Sequence, residues 1–308
     1  MAVGAVAKKS KLVSIDTAMA AVKDGSSILL GGLMLSNRPS ALTREIVKRG
    51  IKGLTVISTP QAGYDVDLLI GGRSAAKAIV GYVGFEYLGM AYHFRRAAET
   101  GSCEIVPCDE SILAGALMAT IEGMPYHPVH SILGSDILKI NPLVKKYRPP
   151  FGDKELVAVP AVNPDVALIH AQQADEAGNI RHLGGQFADL IVAKACKTVI
   201  VSVDEVVSHT NFTREPRETS IPAYLVDMVV ELPGGAHPCE SQGNYAVDEE
   251  HIREYVRIGR KAVKQDDRSD FDSYLQKFVY QPADNFDYID RIGGYRRMFE
   301  LRKKAVIG

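Results

Sequence analysis

The chain has 308 residues, 46% of them hydrophobic and 24% charged, which supplies one large core and excludes a disordered polypeptide. A formal net charge of −1 leaves no excess to gather a polyanion or an anionic bilayer, so neither nucleic acid nor membrane is expected as a partner. Cys103, Cys108, Cys196 and Cys239 form no C-x-x-C pair and are too sparse for a disulfide scaffold or a zinc site; they read as reduced thiols of a cytoplasmic protein, with no metal centre expected.

Along the chain, MAVGAVAKKSKLVS turns to lysines instead of extending its apolar start, and no later stretch sustains the apolar length of a membrane span. Residues 14–23 show helical spacing, and SSILLGG at 26–32 reads as a buried strand. Helical spacing returns over 40–50, followed by the strand-like runs LTVIST at 54–59 and KAIVGYVG at 77–84. A helical stretch over 87–101 precedes CEIVPC at 103–108. VALIHAQQ at 166–173, helical 185–197, KTVIVSV at 197–203 and LVDMVVELPGG at 225–235 complete the series. This alternation predicts an α/β fold with a mostly parallel sheet flanked by helices, because strands covered on both faces read as unbroken apolar runs. One α/β domain is expected over 1–246. From about Val247 the chain becomes charged, tyrosine-rich and helical in pattern, as in EEHIREYVRIGRKAV and SDFDSYLQKFV. A helical C-terminal extension, 247–308, is expected to pack on the core or on a partner.

In an open α/β sheet, ligands sit beyond the carboxyl ends of the strands, so the turns there hold the candidate site. The first is Gly31-Gly32, followed by Ser36-Asn37-Arg38-Pro39. Paired glycines allow close backbone approach, and their N–H groups can stabilise a developing oxyanion. The structural alternative is a tight strand-to-helix turn with Asn37 or Ser40 capping the helix behind it. The second turn follows His170-Ala171-Gln172-Gln173 and runs through Gly178-Asn179 to Gly184-Gly185-Gln186-Phe187. Neutral amides there suit carbonyl or carboxylate recognition, while His170 also reads as a core histidine and 175–179 as a hairpin turn. The third, Gly234-Gly235-Ala236-His237-Pro238, reads as a loop whose histidine lacks a second ligand at metal spacing.

Taken in order, these motifs resemble the α subunits of glutaconate-type family I coenzyme A transferases. The resemblance rests on Val157-Ala158-Val159-Pro160, Asp165, Ile169-His170-Ala171-Gln172-Gln173-Ala174, Gly178, Gly184-Gly185 and Phe187. Further matches are Ile221-Pro222, Val226-Asp227, Gly235-Ala236-His237-Pro238, Phe271-Asp272 and the 288–293 stretch, so nearly the whole chain is covered. The first turn resembles that family's Asp-Gly-x-x-apolar-Gly-Gly-Phe signature, departing from it at Leu33 and Asn37.

The resemblance implies a coenzyme A thioester as substrate and no resident cofactor. It also implies a glutamate that forms an acyl anhydride and then a glutamyl-CoA thioester, with ping-pong kinetics. That glutamate belongs to the β-type subunit, so the implied assembly is (αβ)2 or higher, acting on an acyl-CoA and a free carboxylic acid, including dicarboxylates. Glu176-Ala177-Gly178 mimics the nucleophile's Glu-x-Gly turn but falls inside the α-type stretch and reads as a turn. On this reading Gly31 and Gly32 donate to the oxyanion. Asn37, Arg38, Gln172 and Gln186 contact CoA or carboxylate, together with Gly184 and Gly185 beside them, and residues 58–63 (with Gly63), Gly84 and Phe85 wall the acyl pocket. A second reading comes from Cys108-Asp109-Glu110-Ser111, Leu133-Gly134-Ser135-Asp136 and Asn141-Pro142, which resemble the α subunit of cholesterol-ring-cleaving hydrolases. There Glu110 would act as general base if buried, with Gly134 and Ser135 nearby; the structural alternative is an acidic residue at a helix N-terminus. A third reading, a non-catalytic metabolite sensor like the sugar-phosphate-binding domains of bacterial repressors, lacks a basic helix-turn-helix segment.

Overall fold

The first strand, β1 (Ser27–Leu30), shows why the chain needs two layers of cover: Ile28 and Leu30 point to one face, Leu29 to the other, and all three are fully buried. In this computed structural model, which describes residues 10–58 and 61–307, β2 (Leu54–Ser58) and β3 (Ala75–Val80) likewise send apolar side chains into both layers, while the edge strand β4 (Glu104–Pro107) buries only Val106. A small antiparallel sheet follows, built from β5 (Tyr126–Val129), β6 (Lys145–Tyr147) and β7 (Leu156–Pro160) in the order β5-β7-β6. The chain then returns to the main sheet with β8 (Val166–Ala174), the short β9 (Ile180–Arg181), β10 (Thr198–Val206) and β11 (Met228–Glu231).

The main sheet has the order β11-β10-β8-β1-β2-β3-β4, parallel throughout, with β9 paired antiparallel to β8. The chain winds outward from β1 through β4, then resumes at β8 on the other side of β1 and winds away through β10 and β11. The direction of winding therefore reverses between β1 and β8, the place where an open α/β sheet splays its connections and leaves a crevice.

On one face, Ile28, Leu30, Val56 and Val80 pack against the helix Ser40–Lys48 and the helix Tyr64–Gly71. On the other, Leu29, Ile57, Ile79 and Ile169 pack against the helices Glu110–Ile121 and Asp189–Ala195. The α/β class with a mostly parallel sheet matches the expectation. The antiparallel sheet over 126–160 was not legible, because β5 and β6 are short and largely exposed, with Pro128 inside β5, and only β7 carries an apolar run. Among the described residues no helix is long and apolar enough to cross a membrane, and no three His, Cys, Asp or Glu side chains gather as a metal site. The first nine residues of the chain lie outside the described part.

The C-terminal helices Glu249–Lys264 and Ser269–Leu275 insert Ile252, Tyr255, Ile258, Phe271 and Tyr274 into the same cluster as β1 and β2. Tyr255 sits at the centre of an aromatic group, with ring centroids 5.0 Å from Tyr64, 5.8 Å from Phe85 and 5.2 Å from Tyr274, mostly edge to face. Periodic apolar positions on a strongly amphipathic helix account for this: residues 252, 255, 258, 259 and 262 fall on one face.

Two ionisable groups lie buried in this region. Burial pushes the Asp67 carboxyl up to about 7, against hydrogen bonds from the Phe94 amide (2.8 Å) and the Tyr255 hydroxyl (3.0 Å). Burial, with the nearby Arg268 charge, pushes His93 down to about 3. Between about pH 4 and pH 6.5 both are neutral in the fold, while in the unfolded chain the carboxylate is ionised and the imidazole protonated. Asp67 then holds one more proton folded than unfolded, so its contribution falls by about 1.4 kcal/mol per pH unit as pH rises; His93 holds one fewer, and its contribution rises by about the same. The two slopes oppose. His93→Phe should therefore make urea stability fall more steeply with rising pH between about pH 4 and 6.5 than it does in the parent. Parallel profiles for parent and variant would refute the pairing.

Candidate functional site

The β1–β8 crevice is filled by the chain itself. Asn37, fully buried at φ 52°, donates from Nδ2 to the Gly185 carbonyl (3.0 Å) and accepts at Oδ1 from Gln172 Nε2 (2.9 Å) and the Gln242 amide (3.0 Å). Gln172 is only 1% exposed; it also donates to Ser241 Oγ (2.8 Å) and accepts from the Leu183 amide (2.9 Å). A ligand needs exposed donors or acceptors, and these two side chains have spent theirs on the fold. The contact roles expected of Asn37 and Gln172 are corrected accordingly.

The glycine doublet also departs from expectation. The Gly31 amide donates to the Leu168 carbonyl (2.9 Å) in the sheet, and the Gly32 amide donates to Asp189 Oδ1 (2.7 Å). Neither is free for an oxyanion. Asp189, fully buried in the first turn of its helix, holds His182 Nε2 at 3.1 Å with its other oxygen, and His182 Nδ1 meets Ser220 Oγ at 2.7 Å. Glycine is required here for space as well as for conformation. A Cβ on Gly31 would meet Asp189 Oδ1 at 2.5 Å, and one on Gly32, at φ 75°, would meet the carbonyls of Ser36 and Asn37 at 2.6 Å.

Arg38 is likewise internal. It is fully buried, its Nε 2.7 Å from Asp65 Oδ2, its Nη2 also paired with that carboxylate and 2.8 Å from Ser58 Oγ. A buried guanidinium demands such a partner, so Arg38 fastens the β1 and β2 turns instead of reaching CoA. Phe85 is corrected too: it has no exposed surface and packs on Tyr255. Gly63 and Gly84 lie side by side between the β1 and β3 turns, since a Cβ on Gly63 would meet the Met34 carbonyl at 2.9 Å and the Gly84 carbonyl at 3.1 Å. Thr59 and Pro60, part of the expected 58–63 wall, lie outside the described residues. His170 is a core histidine, 3.0 Å from Ser202 Oγ and 3.5 Å from Asp204. Asp204 stays below its usual range: burial pushes it up, but the facing His170 ring and the donors Ser241 and Asn244 outweigh that.

What remains open at the strand ends lies toward β2 and β4. Gln61 Nε2 donates to Glu110 Oε1 at 3.0 Å, bringing together the turns that follow β2 and β4 across the end of β3. Glu110 is the first residue of its helix, behind the N-cap Asp109, and it is exposed in this chain, so the burial on which a general-base role was conditioned is not found. The dipole of that twelve-residue helix favours a carboxylate at this position. Ser111 of the same turn bonds Ser131, which sets the 131–135 loop, with exposed Gly134 and half-buried Ser135, beside Glu110. Gly184 and Gln186 are exposed on the loop that Gln242 ties down through the Gly185 amide (2.6 Å). Glu176 sits exposed in the turn between β8 and β9.

Sequence reasoning missed Asp189, His182, Asp65 and Gln61. Asp189 meets Gly32 across 157 residues of chain, and nothing in local spacing connects them. Because Gly25 shares the left-handed backbone of Gly32 (φ 77°) but has open space around its missing Cβ, the two isolate the effect of close packing. Gly25→Ala should cost about 1–2 kcal/mol in urea unfolding, and Gly32→Ala at least about 3 kcal/mol. Equal losses would show that the contacts around Gly32 contribute nothing.

A family model described as "Coenzyme A transferase" matches residues 12–232. The A-type chain of glutaconate CoA-transferase from Acidaminococcus fermentans is 31% identical over 306 residues, covering 93% of each chain. The crystal structure of that enzyme superimposes with a TM-score of 0.88 over 95% of this chain and 96% of the other, at 30% identity. A chain named as a cholesterol ring-cleaving hydrolase subunit, from Rhodococcus jostii, is 32% identical over 269 residues, 83% of this chain and 89% of that one. The chain spans 62% of the length of an uncharacterized Archaeoglobus fulgidus relative that it matches at 32% identity. Together with the parallel sheet and the glycine turn after its first strand, these findings establish that the chain belongs to the coenzyme A transferase family.

Proposed function

We propose that this chain is the α subunit of a two-subunit coenzyme A transferase that moves CoA between an acyl-CoA and a free carboxylic acid, with the attacking glutamate supplied by a β-type partner. One observation carries the reading. The carboxylates bonded to the 31–38 turn, Asp65, Asp189 and Glu240, are all committed to Arg38, to Gly32 with His182, and to Ser36. None is left to attack a thioester, and Glu110 stands exposed at a helix start. Similarity to the A-type chain of a transferase over nearly the whole length of both supports the same division of labour.

On this reading the partner's glutamate attacks the thioester carbonyl and expels CoA thiolate, leaving an acyl-glutamyl anhydride. The thiolate then attacks the glutamyl carbonyl and releases the first acid, which leaves CoA on the enzyme as a thioester. The second carboxylate repeats the two steps in reverse order and departs as the new acyl-CoA. No oxidant, metal or resident cofactor enters this balance. The α chain shapes the pocket through its packed turns, and exposed Gln186, Gly184 and Gly134, with half-buried Gly185 and Ser135, are its candidates for contact with the substrate. A dicarboxylic acyl group fits the names of the glutaconate and 3-oxoadipate transferase relatives, and an (αβ)2 or larger assembly in the cytoplasm completes the proposal.

A second reading is favoured by the Gln61–Glu110 pair at the open edge and by the 32% identity to the ring-cleaving hydrolase chain. There Glu110 takes a proton from water, and a carbon–carbon bond of the CoA thioester is hydrolysed. Exchange assays on the chain reconstituted with its β partner separate the two. Glu110→Ala should keep CoA exchange between a labelled acyl-CoA and a free acid within about threefold, whereas removal of a general base costs about 10²–10⁴-fold. Carboxylate-independent consumption of acyl-CoA that disappears in Glu110→Ala would replace the transferase reading with the hydrolase.

A further inference from the structure

A cavity of about 680 Å³ opens at the opposite end of the sheet from the 31–38 turn and Glu110. Gly53, Ala75 and Cys103 line it, each at or next to the first residue of β2, β3 or β4, whereas the turns described above follow strand ends. Its far wall is the helix Glu249–Lys264, through Ala262 and Val263.

Three guanidiniums line this space: Arg73, Arg96 and Arg268. Arg96 is paired with Asp266 at 2.7 Å. Arg268 reaches Asp272 at 3.5 Å and the Gly71 carbonyl at 3.1 Å. Arg73 has no ion pair and no side-chain hydrogen bond among the described residues. Three cations against two acids leave one positive charge uncompensated, and it belongs to Arg73. A second recess of about 360 Å³ is lined by Arg73 and Arg268 as well, so the two spaces meet at these two side chains. At the base lies His93, 5% exposed, its Nε2 buried without a hydrogen-bond partner. Burial and the Arg268 charge keep that ring neutral, so it adds no charge to the cavity base. The volume lies within the range of small-molecule sites, and Ile70, Ala75 and Ala97 give it an apolar side.

We propose that this cavity is a second ligand site, binding a small metabolite through a phosphate or carboxylate group clasped by Arg73 and Arg268. Planar guanidiniums bind both oxyanions through paired hydrogen bonds, and one uncompensated cation matches one bound anion. The site lies across the sheet from the turns assigned to the thioester, so its occupancy goes beyond the transfer reaction and does not depend on it.

Arg73 also supplies a clean test. It stands at φ 62°, a left-handed backbone where glycine is at ease, so Arg73→Gly removes the cation without demanding a new conformation. Calorimetric titration of the full chain with inorganic phosphate, adenosine 5′-monophosphate and glutarate should show saturable binding of at least one, with Kd below about 1 mM. Arg73→Gly should weaken that binding about tenfold or more while leaving the thermal midpoint unchanged. Preference for either phosphate compound identifies phosphate as the recognised group, and preference for glutarate identifies carboxylate. Absence of saturable binding by all three, or equal binding by parent and Arg73→Gly, overturns the proposal. Arg73→Gln serves as the second variant should the glycine form not fold, and it is read by the same criteria.

Discussion

A carboxylate brought from Asp189 to the Gly32 amide pins the turn after β1, on which the packing at the carboxyl end of the sheet depends. The turn after β1 must leave the sheet sharply, and its amides must find acceptors once buried. Asp189 supplies one from inside a helix on the opposite side of the crevice, and His182 and Ser220 hold that carboxylate in turn. With the turn pinned, Asn37 reaches Gly185, Gln172 and Gln242, and Arg38 is delivered to Asp65. The crevice that topology opens between β1 and β8 is thereby closed by hydrogen bonds within the chain.

That closure moves the open chemistry toward β2 and β4. The Gln61 and Glu110 side chains face each other there, although the Gln61 backbone carbonyl is itself held by Arg38 and by the Met34 amide. Near-equal identity to a transferase chain and to a ring-cleaving hydrolase chain shows how little the scaffold itself separates these chemistries.

The opposite end of the sheet obeys a different electrostatic rule. Asp67 and His93 are buried without a full charge partner, and each is neutral because desolvation moves its pKa toward the uncharged form. Their opposed titrations flatten the pH dependence that either alone would impose. The arginines nearby keep their charge: Arg96 and Arg268, both partly exposed, reach Asp266 and Asp272, while exposed Arg73 lines the cavity with no acidic partner among the described residues.

Apolar runs such as SSILLGG and VALIHAQQ determined the parallel sheet, because a strand buried on both faces has no polar side to show and its composition alone declares it. The amphipathic period from Glu249 to Lys264 likewise declared a helix with one buried face. The ordered glycine and glutamine motifs carried the family. Which of those polar residues would touch a ligand was decided only by the tertiary structure. Asn37, Arg38 and Gln172 look the same in sequence whether they face a substrate or one another, since a hydrogen-bonding group is spent only when a partner arrives, and those partners arrive from distant parts of the chain. Glu110 stayed exposed for the converse reason: among the described residues Gln61 reaches its carboxylate without burying it.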